Sequence, residues 1–196
     1  MFREKVDFLC AGVGGQGTIL VSDIIAEAGL ELGYDVKKSE VHGMAQRGGG
    51  VESQVRWGKK VYSPLVEQGM VDYLLGFEMM EAARWVEFLQ PDGKIMINQY
   101  RIPPPAVTMG NATYPPKEEF DHLFSCCTKN IMWINATERA QLMGNPTLAG
   151  VILLGAVAKD LETPVGVWLK VIEQLVPERF IELNKEAFQV GMNIAG

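Results

Sequence analysis

One glycine-rich turn limits what this chain can fold into more than any other feature. Residues 12–17 (GVGGQG) follow a short apolar run at 6–11 and precede a segment, 18–32, whose apolar residues recur at helical spacing. Glycines let a chain turn tightly between a strand and a helix, and free N–H groups at the helix start attract an anion. The pattern GxGxxG therefore predicts a ligand-facing βα turn, although it also fits glycines that only allow close strand–helix packing.

Strand-like and helical segments alternate along the rest of the chain. Further strands are predicted at residues 34–38, 51–57, 71–77, 94–98 and 131–134. Further helices are predicted at residues 78–89, 137–143, 147–161, 165–175 and 178–192. Gly33 is placed to end the first helix in a left-handed cap. This order predicts a three-layer α/β/α fold with a mostly parallel, Rossmann-like sheet and a helical C-terminal region.

Three stretches make more local predictions. Residues 51–57 alternate apolar and polar side chains, which predicts a half-exposed strand with Glu52 and Gln54 on its outer face. Residues 58–62 are expected to turn that strand into a hairpin. The prolines at 103–105 cannot donate backbone hydrogen bonds, so they predict an extended surface crossing or a sheet edge.

Composition is that of an ordinary globular protein and argues against several function classes. The 196 residues suit a single domain, predicted to cover residues 1–196. The formal net charge of −6 argues against nonspecific nucleic-acid binding, which needs a basic surface. No apolar run approaches the ~20 residues that span a bilayer, and the start lacks the pattern of a signal peptide. We therefore expect a cytoplasmic protein that binds neither nucleic acid nor a membrane.

The cysteines offer no framework for disulfides or metal. The chain has 3 of them, Cys10, Cys126 and Cys127, without the CxxC spacings of zinc and iron–sulfur sites. Cys10 lies within an apolar strand and is interpreted as a small buried side chain. The adjacent pair is interpreted as packing, with redox activity as the alternative. We predict no metal site in this chain.

The first interpretation of the glycine turn is dinucleotide binding. A Rossmann site adds an acidic residue after the second strand to hold a ribose, and Glu40 lies 23 residues past Gly17. However, Glu40 is followed by a glycine-rich loop, where a dinucleotide-binding unit would start another helix. An NAD(P)-binding dehydrogenase domain therefore remains as an alternative function.

A second motif, residues 39–49 (SEVHGMAQRGG), is more specific than the first. It is interpreted as a loop at the carboxyl end of the second strand, where open α/β sheets bind ligands, so we expect it beside the glycine turn. The imidazole of His42, the guanidinium of Arg47 and bare backbone N–H groups suit a phosphorylated or carboxylate ligand, or a contact with another chain. A surface histidine and a structural ion pair are the alternative interpretations of these two side chains.

These stretches resemble one protein family. The segments VDFLCAGVGGQGTILVSDIIAEAG, SEVHGMAQRGGGVESQVRWG and VYSPL are similar to the gamma-type domain of 2-oxoacid:ferredoxin oxidoreductases. The similarity is greatest to the small (beta) subunit of the indolepyruvate enzymes, and it continues through VDYLLGFEMMEAAR, INQYRIPPP and GNPTLAGVILLGA. It covers nearly the whole chain. Two small departures, Met143 before the GNP stretch and Gly50 after the glycine run, remove no functional group.

The resemblance implies a subunit of a larger oxidoreductase. In this family a 2-oxo acid is decarboxylated on thiamine diphosphate, electrons pass through iron–sulfur clusters to ferredoxin, and the acyl group is transferred to coenzyme A. The chain carries neither a cluster spacing nor the GDG-and-Asn motif of thiamine diphosphate sites. We therefore expect those cofactors on a large partner subunit, none bound tightly here, and an isolated chain without activity. The expected substrate is indolepyruvate or another aryl or branched 2-oxo acid.

The resemblance also implies part of a coenzyme A site. The turn is expected to hold the diphosphate of this ligand, with Arg47 and Arg56 supplying positive charge. The residues predicted to bind the ligand are Gly12, Gly14, Gly15, Gln16, Gly17, Thr18, Glu40, His42, Gln46, Arg47 and Arg56. No catalytic residue is predicted. The alternative from another class is a purely structural assembly subunit, which would present an apolar patch to its partner.

Overall fold

A mixed β-sheet forms the centre of the protein. The computed structural model describes residues 4–42 and 49–194, without the side chain of His42. The strands within them are β1 (Lys5–Val13), β2 (Asp35–His42), β3 (Gly50–Gly58), β4 (Val71–Gly76), β5 (Leu89–Asn98) and β6 (Asn130–Ile134). They lie in the order β2-β3-β1-β4-β5-β6. Strands β1, β4, β5 and β6 are parallel, and β3 is antiparallel to both of its neighbours, so the mostly parallel sheet is confirmed.

Helices cover both faces of the sheet, which confirms the predicted α/β fold. They are α1 (Thr18–Glu31), α2 (Met79–Trp85), α3 (Pro105–Thr108), α4 (Lys117–Cys127), α5 (Ala136–Leu142), α6 (Ala149–Asp160), α7 (Val165–Leu175) and α8 (Ile181–Ile194). Helices α1, α5, α6, α7 and α8 contribute to a core on one face, and α2 and α4 contribute to a core on the other. No helix among residues 4–42 and 49–194 is long and apolar enough to cross a membrane.

The first βα unit forms as predicted because its apolar residues share one face. In α1, the side chains of Val21, Ile24 and Ala28 are buried at helical spacing. The helix ends where Gly33 adopts a left-handed φ of +86° and donates its N–H to Leu30 O at 2.9 Å. This backbone conformation confirms the predicted cap.

The C-terminal helices pack closely against one another over the sheet. Helix α6 is apolar on nearly every side, and all of its residues from Ala149 to Ala158 are buried. A Cβ atom placed at Gly155 would lie 2.1 Å from Phe188 O of α8. The two helices therefore approach with their backbones almost in contact, a distance that only glycine permits.

Three local predictions are wrong. Residues 61–62 form no strand, so the expected hairpin after β3 does not exist. Glu52 and Gln54 are buried, because the segment after β3 folds back on that face and Val66 N donates to Gln54 Oε1 at 2.7 Å. Residues 39–42, expected in a loop, form the end of β2 and pair with β3.

Candidate functional site

The glycine turn lies at the point in the sheet where the connecting helices switch from one face to the other. Helix α1, which follows β1, packs on one face, whereas α2, which follows the parallel neighbour β4, packs on the opposite face. Open α/β sheets bind ligands in the crevice that such a switch point leaves beyond the carboxyl ends of the strands. Residues 12–17 join β1 to α1, so they border this crevice.

The glycines of the turn have different roles. Gly15 and Gly17 adopt left-handed φ values of +96° and +80°, which other residues rarely adopt. Nothing lies within 4 Å of a Cβ placed at Gly15, so its backbone faces open space. Gly12 is buried, and a Cβ there would lie 2.8 Å from Phe77 Cβ. Gly12 therefore serves close packing, whereas Gly15 leaves room for a ligand.

Hydrogen bonds from neighbouring strands hold the turn in place. Gln16 Oε1 accepts the N–H of Val13 at 2.7 Å, and Gln16 Nε2 donates to Phe77 O at 2.9 Å. Asn98, at the end of β5, donates to the same carbonyl at 3.1 Å and to Thr137 Oγ1 at 2.7 Å. The carboxyl ends of β1, β4 and β5 and the start of α5 are thus linked around the crevice.

The crevice is a cavity of about 230 Å³. It is bordered by the turn, by residues after β4 and β5 and by the starts of α5 and α6: Gly14, Gly15, Gln16, Phe77, Asn98, Tyr100, Ile102, Thr137, Pro146, Thr147 and Ala149. Helix α1 begins beside it with no side-chain cap and no acidic residue in its first turn. The N–H groups at the start of α1 can therefore bind an anion, which the helix dipole also favours.

Thr18 does not offer its hydroxyl to the crevice. Its side chain is buried, and Oγ1 has no hydrogen-bond partner within the part of the chain that the structure describes. A Cβ placed at Gly12 would lie 2.8 Å from Thr18 Oγ1, so this hydroxyl is directed at the inner side of the turn. Thr18 can present a ligand with its backbone N–H only.

A second cavity, of about 180 Å³, lies beside the first. Most of its lining residues are apolar. The full lining is Val13, Met80, Glu81, Ile102, Pro103, Pro104, Pro105 and Thr108. Ile102 lines both cavities and so forms the wall between them. Burial raises the pKa of the Glu81 carboxyl, although Arg84 lies 3.3 Å away. The lining of the second cavity includes an acidic side chain and no Lys or Arg, so it suits an anion less well than the first cavity does.

Arg56 lies at the end of β3 that is far from the glycine turn, which argues against its predicted role in binding the ligand. Because β3 runs antiparallel to β1, Arg56 pairs with Asp7, whereas Gly50 pairs with Val13 at the turn. The length of strand between these two positions is roughly 20 Å. The Arg56 guanidinium donates to the Asp7 carboxylate at 2.9 and 3.3 Å and to two carbonyls of the segment after β3. Its contacts are those of a structural residue.

Glu40 is separated from β1 by the inserted strand β3. It pairs with Ser53 of β3, and Ser53 pairs with Cys10 of β1. Two strand spacings place β2 roughly 10 Å from β1. The Glu40 carboxylate lies 2.8 Å from Lys38 Nζ. A Rossmann site needs this acid on the strand beside β1, so the geometry argues against a ribose contact from Glu40.

The end of the second motif reaches the glycine turn. Gly14 donates its N–H to Gly49 O at 3.0 Å, so this part of the motif lies beside the turn as expected. His42 is the last residue of β2. The side chain of His42, and the whole of Gln46 and Arg47, lie outside the described residues. Their role as ligands stays a prediction.

Several residues of the crevice were not identified from the sequence. Asn98, Tyr100, Thr137 and Thr147 border the cavity but come from separate segments. Their positions after a strand or at a helix start are the signal that could have indicated them, because ligand-facing residues of open sheets gather there. Among residues 4–42 and 49–194, no group of three His, Cys, Asp or Glu side chains could hold a metal ion.

The sequence matches one protein family over almost its entire length. The family model described as pyruvate ferredoxin/flavodoxin oxidoreductase matches residues 7–194. Indolepyruvate oxidoreductase subunit IorB from Thermococcus kodakarensis is 35% identical over 195 residues, covering 98% of this chain and 96% of that protein. IorB from Archaeoglobus fulgidus is 34% identical over 193 residues, covering 97% of this chain and 96% of that protein.

Solved structures share the fold. The gamma subunit of keto/oxoacid ferredoxin oxidoreductase from Geobacter sulfurreducens aligns with a TM-score of 0.71 at 24% identity, covering 97% of this chain and 98% of that one. The 2-oxoglutarate:ferredoxin oxidoreductase from Magnetococcus marinus, with 2-oxoglutarate, coenzyme A and succinyl-CoA bound, aligns with a TM-score of 0.76 at 19% identity, covering 98% of this chain and 31% of that one. With the family match and the identity to the IorB subunits, the chain belongs to the pyruvate ferredoxin/flavodoxin oxidoreductase family, as a subunit of a 2-oxoacid:ferredoxin oxidoreductase.

Proposed function

We propose that this subunit holds an anionic part of coenzyme A, its diphosphate, at the N-terminus of α1. The main support is the uncapped start of α1 beside a cavity of about 230 Å³ at the switch point of the sheet. Backbone N–H groups at a helix start bind phosphate oxygens, and hydrogen bonds to charged groups contribute about 1.5–3 kcal/mol each. In the complete enzyme this ligand would accept the acyl group.

The volume of the cavity suits only part of such a ligand. Sites for whole drug-sized molecules measure about 300–1,000 Å³, and coenzyme A is larger than a typical drug. A cavity of about 230 Å³ would therefore take the diphosphate, while the rest of the ligand lies against a partner chain. The affinity of the isolated subunit for coenzyme A should accordingly be low.

The residues of the turn have distinct roles in this proposal. Gly15, Gly17 and Thr18 would present backbone N–H groups to the diphosphate. Gln16 keeps the turn closed, because both polar atoms of its side chain are already bonded to the backbone. Arg47 would supply a positive charge from the second motif.

A protein with the same fold binds this ligand. The 2-oxoglutarate:ferredoxin oxidoreductase from Magnetococcus marinus was solved with coenzyme A and succinyl-CoA bound, and 98% of this chain aligns with its fold. The identity of 19% supports a common fold, and the ligand carries over to this chain as part of the proposal.

The chemistry itself would take place on a larger partner subunit. The family uses thiamine diphosphate and iron–sulfur clusters in the complex, and the sequence of this chain lacks the cysteine spacing of a cluster site. The isolated chain should therefore be inactive. Indolepyruvate is the proposed substrate, because relatives with 34–35% identity are subunits of indolepyruvate oxidoreductases.

Assembly is a second function that one observation favours. Apolar side chains are exposed near the two cavities. Tyr100, which lines the first cavity, is 37% exposed, and Met109, which follows Thr108 of the second cavity, is 73% exposed. A partner subunit that completes the coenzyme A site would cover them, so the two functions are compatible.

The NAD(P) alternative predicts tight NAD binding to the isolated chain, which calorimetry would detect.

A charge introduced into the cavity tests the proposed ligand. Thr147 lines the cavity, and its carbonyl oxygen lies 3.6 Å from a Cβ placed at Gly17. In the assembled enzyme, Thr147→Glu should raise the KM for coenzyme A about tenfold above Thr147→Gln, since about 1.4 kcal/mol of repulsion weakens binding tenfold. The two variants have the same shape and differ in charge.

Equal KM values for the two variants would mean that no anion binds here. A separate substitution, Arg47→Ala, tests the second motif. If it left the KM for coenzyme A unchanged, Arg47 would have no part in the site.

A further inference from the structure

A buried carboxylate next to the crevice binds three neutral donors. Glu78 is 1% exposed and precedes α2. Its Oε2 accepts the N–H of Glu81 at 2.9 Å, which caps α2. Its Oε1 accepts the N–H of Ile102 at 3.0 Å and the hydroxyl of Tyr114. One side chain therefore joins the start of α2 to two segments beyond β5.

The bond to Ile102 is the last anchor before a run of prolines. Earlier in this segment, Gln99 N donates to Ile134 O at 2.8 Å, and Tyr100 O accepts the N–H of Met79 at 3.2 Å. The three prolines that follow Ile102 have no N–H to donate. The position of the Ile102 side chain thus depends on Glu78.

Tyr114 secures the carboxylate from the other side. Burial and the hydrogen bond to Glu78 both raise the pKa of the Tyr114 hydroxyl, so it stays protonated and donates at neutral pH. Ile102 in turn forms the wall between the cavity of about 230 Å³ and the cavity of about 180 Å³. We therefore expect a change at Glu78 to alter the width of the crevice.

We infer that Glu78 is a positioning residue that, together with Tyr114, fixes the Ile102 wall and so sets the affinity of the crevice for coenzyme A. This inference rests on the proposed function. Glu78 acts through Ile102 and does not contact the ligand, so its replacement should change the KM for coenzyme A and leave the steps of decarboxylation unaffected.

Two conservative variants separate this role from the capping of α2. Aspartate is itself a good N-cap residue, so Glu78→Asp keeps the charge and can keep the cap but is one methylene too short to reach Ile102. Tyr114→Phe removes the hydroxyl and leaves the carboxylate in place. Glu118→Asp makes the same change on an exposed residue of α4 and serves as the control.

The experiment measures steady-state kinetics of the assembled enzyme and hydrogen exchange of the Ile102 amide. Glu78→Asp should raise the KM for coenzyme A roughly fivefold to tenfold, with kcat and the KM for the 2-oxo acid unchanged. The same variant should speed exchange of the Ile102 amide at least about tenfold, because that N–H loses its acceptor. Tyr114→Phe should give a smaller change in the same direction, and Glu118→Asp should give none.

The Thr147 pair, measured alongside, separates failure of this inference from failure of the proposed function. If Thr147→Glu raises the KM for coenzyme A and Glu78→Asp does not, the role of Glu78 is refuted while the site stands. If kcat falls with Glu78→Asp at constant KM, positioning of the wall is also refuted. If Thr147→Glu and Thr147→Gln behave alike, coenzyme A does not bind in this crevice and the inference falls with the proposed function.

Discussion

Replacing Arg56 with alanine tests whether this side chain serves the fold or a ligand. The guanidinium forms two hydrogen bonds with Asp7, at 2.9 and 3.3 Å, and donates to Ser63 O at 3.2 Å and Leu65 O at 2.8 Å. The Asp7 side chain is fully buried, so its charge depends on these partners. Arg56→Ala would also leave both carbonyls without this donor.

The expected loss of stability follows from the burial of Asp7. Breaking a buried ion pair costs about 3–5 kcal/mol, because one charge is left without compensation. Lys5 Nζ also lies 2.7 Å from Asp7 Oδ2 and compensates part of that charge. We therefore expect a loss of about 3 kcal/mol, which for a domain of this size lowers Tm by roughly 6–12 °C.

Thermal unfolding of the purified chain, followed by circular dichroism, measures this effect. Lys170→Ala is the control, since Lys170 pairs with Glu31 at the surface and should contribute less than about 1 kcal/mol. The double variant Asp7→Asn, Arg56→Gln removes both charges and should recover part of the loss. A Tm within 2 °C of the unmodified chain, or a tenfold rise in the KM for coenzyme A in a fully folded enzyme, would refute the structural assignment of Arg56.

Two further predictions concern packing and thiol chemistry. Gly155→Ala should destabilise the chain by about 1–3 kcal/mol, whereas Gly166→Ala in α7, where a Cβ meets nothing within 4 Å, should stabilise it by about 0.5–1 kcal/mol. Equal shifts in Tm for the two variants would contradict the close approach of α6 and α8. Burial raises the pKa of the Cys10 thiol to about 12, so at pH 8 a thiol reagent should label the exposed Cys126 and leave Cys10 unlabelled until the chain unfolds. Labelling of both at similar rates in the folded protein would contradict this prediction.

Local sequence patterns predicted the helices and strands better than they predicted which elements pack against one another. The helix at 165–175 was predicted with the bounds that α7 has, because its apolar residues repeat at helical spacing and Pro164 precedes it. The sequence gives less indication of which segments will pack against a given strand. Burial of Glu52 and Gln54 contradicts the alternation read from β3, since the segment that covers them comes later in the chain.

The direction of β3 determines which of the predicted ligand-binding residues lie near one another. Arg56 and Gly50 both belong to β3, but an antiparallel strand carries its last residues away from the turn. The sequence does not indicate whether a strand will pair in parallel or antiparallel, so the distance between Arg56 and the glycine turn could not be predicted from it. Asn98 and Thr137 meet across 39 positions of sequence, and no local pattern connects them.

The inserted strand β3 also argues against a dinucleotide at the glycine turn. In a Rossmann unit the second strand returns beside the first and brings an acid to the ribose. Here Gly50 lies opposite Val13, and the Gly14 N–H is bonded to the Gly49 carbonyl, so backbone occupies that side of the turn. The rest of a ligand bound at the start of α1 would therefore have to extend in the other direction, past Asn98 and Tyr100, where the cavity lies. Tyr100 on that side is 37% exposed, which fits a site that a second subunit completes.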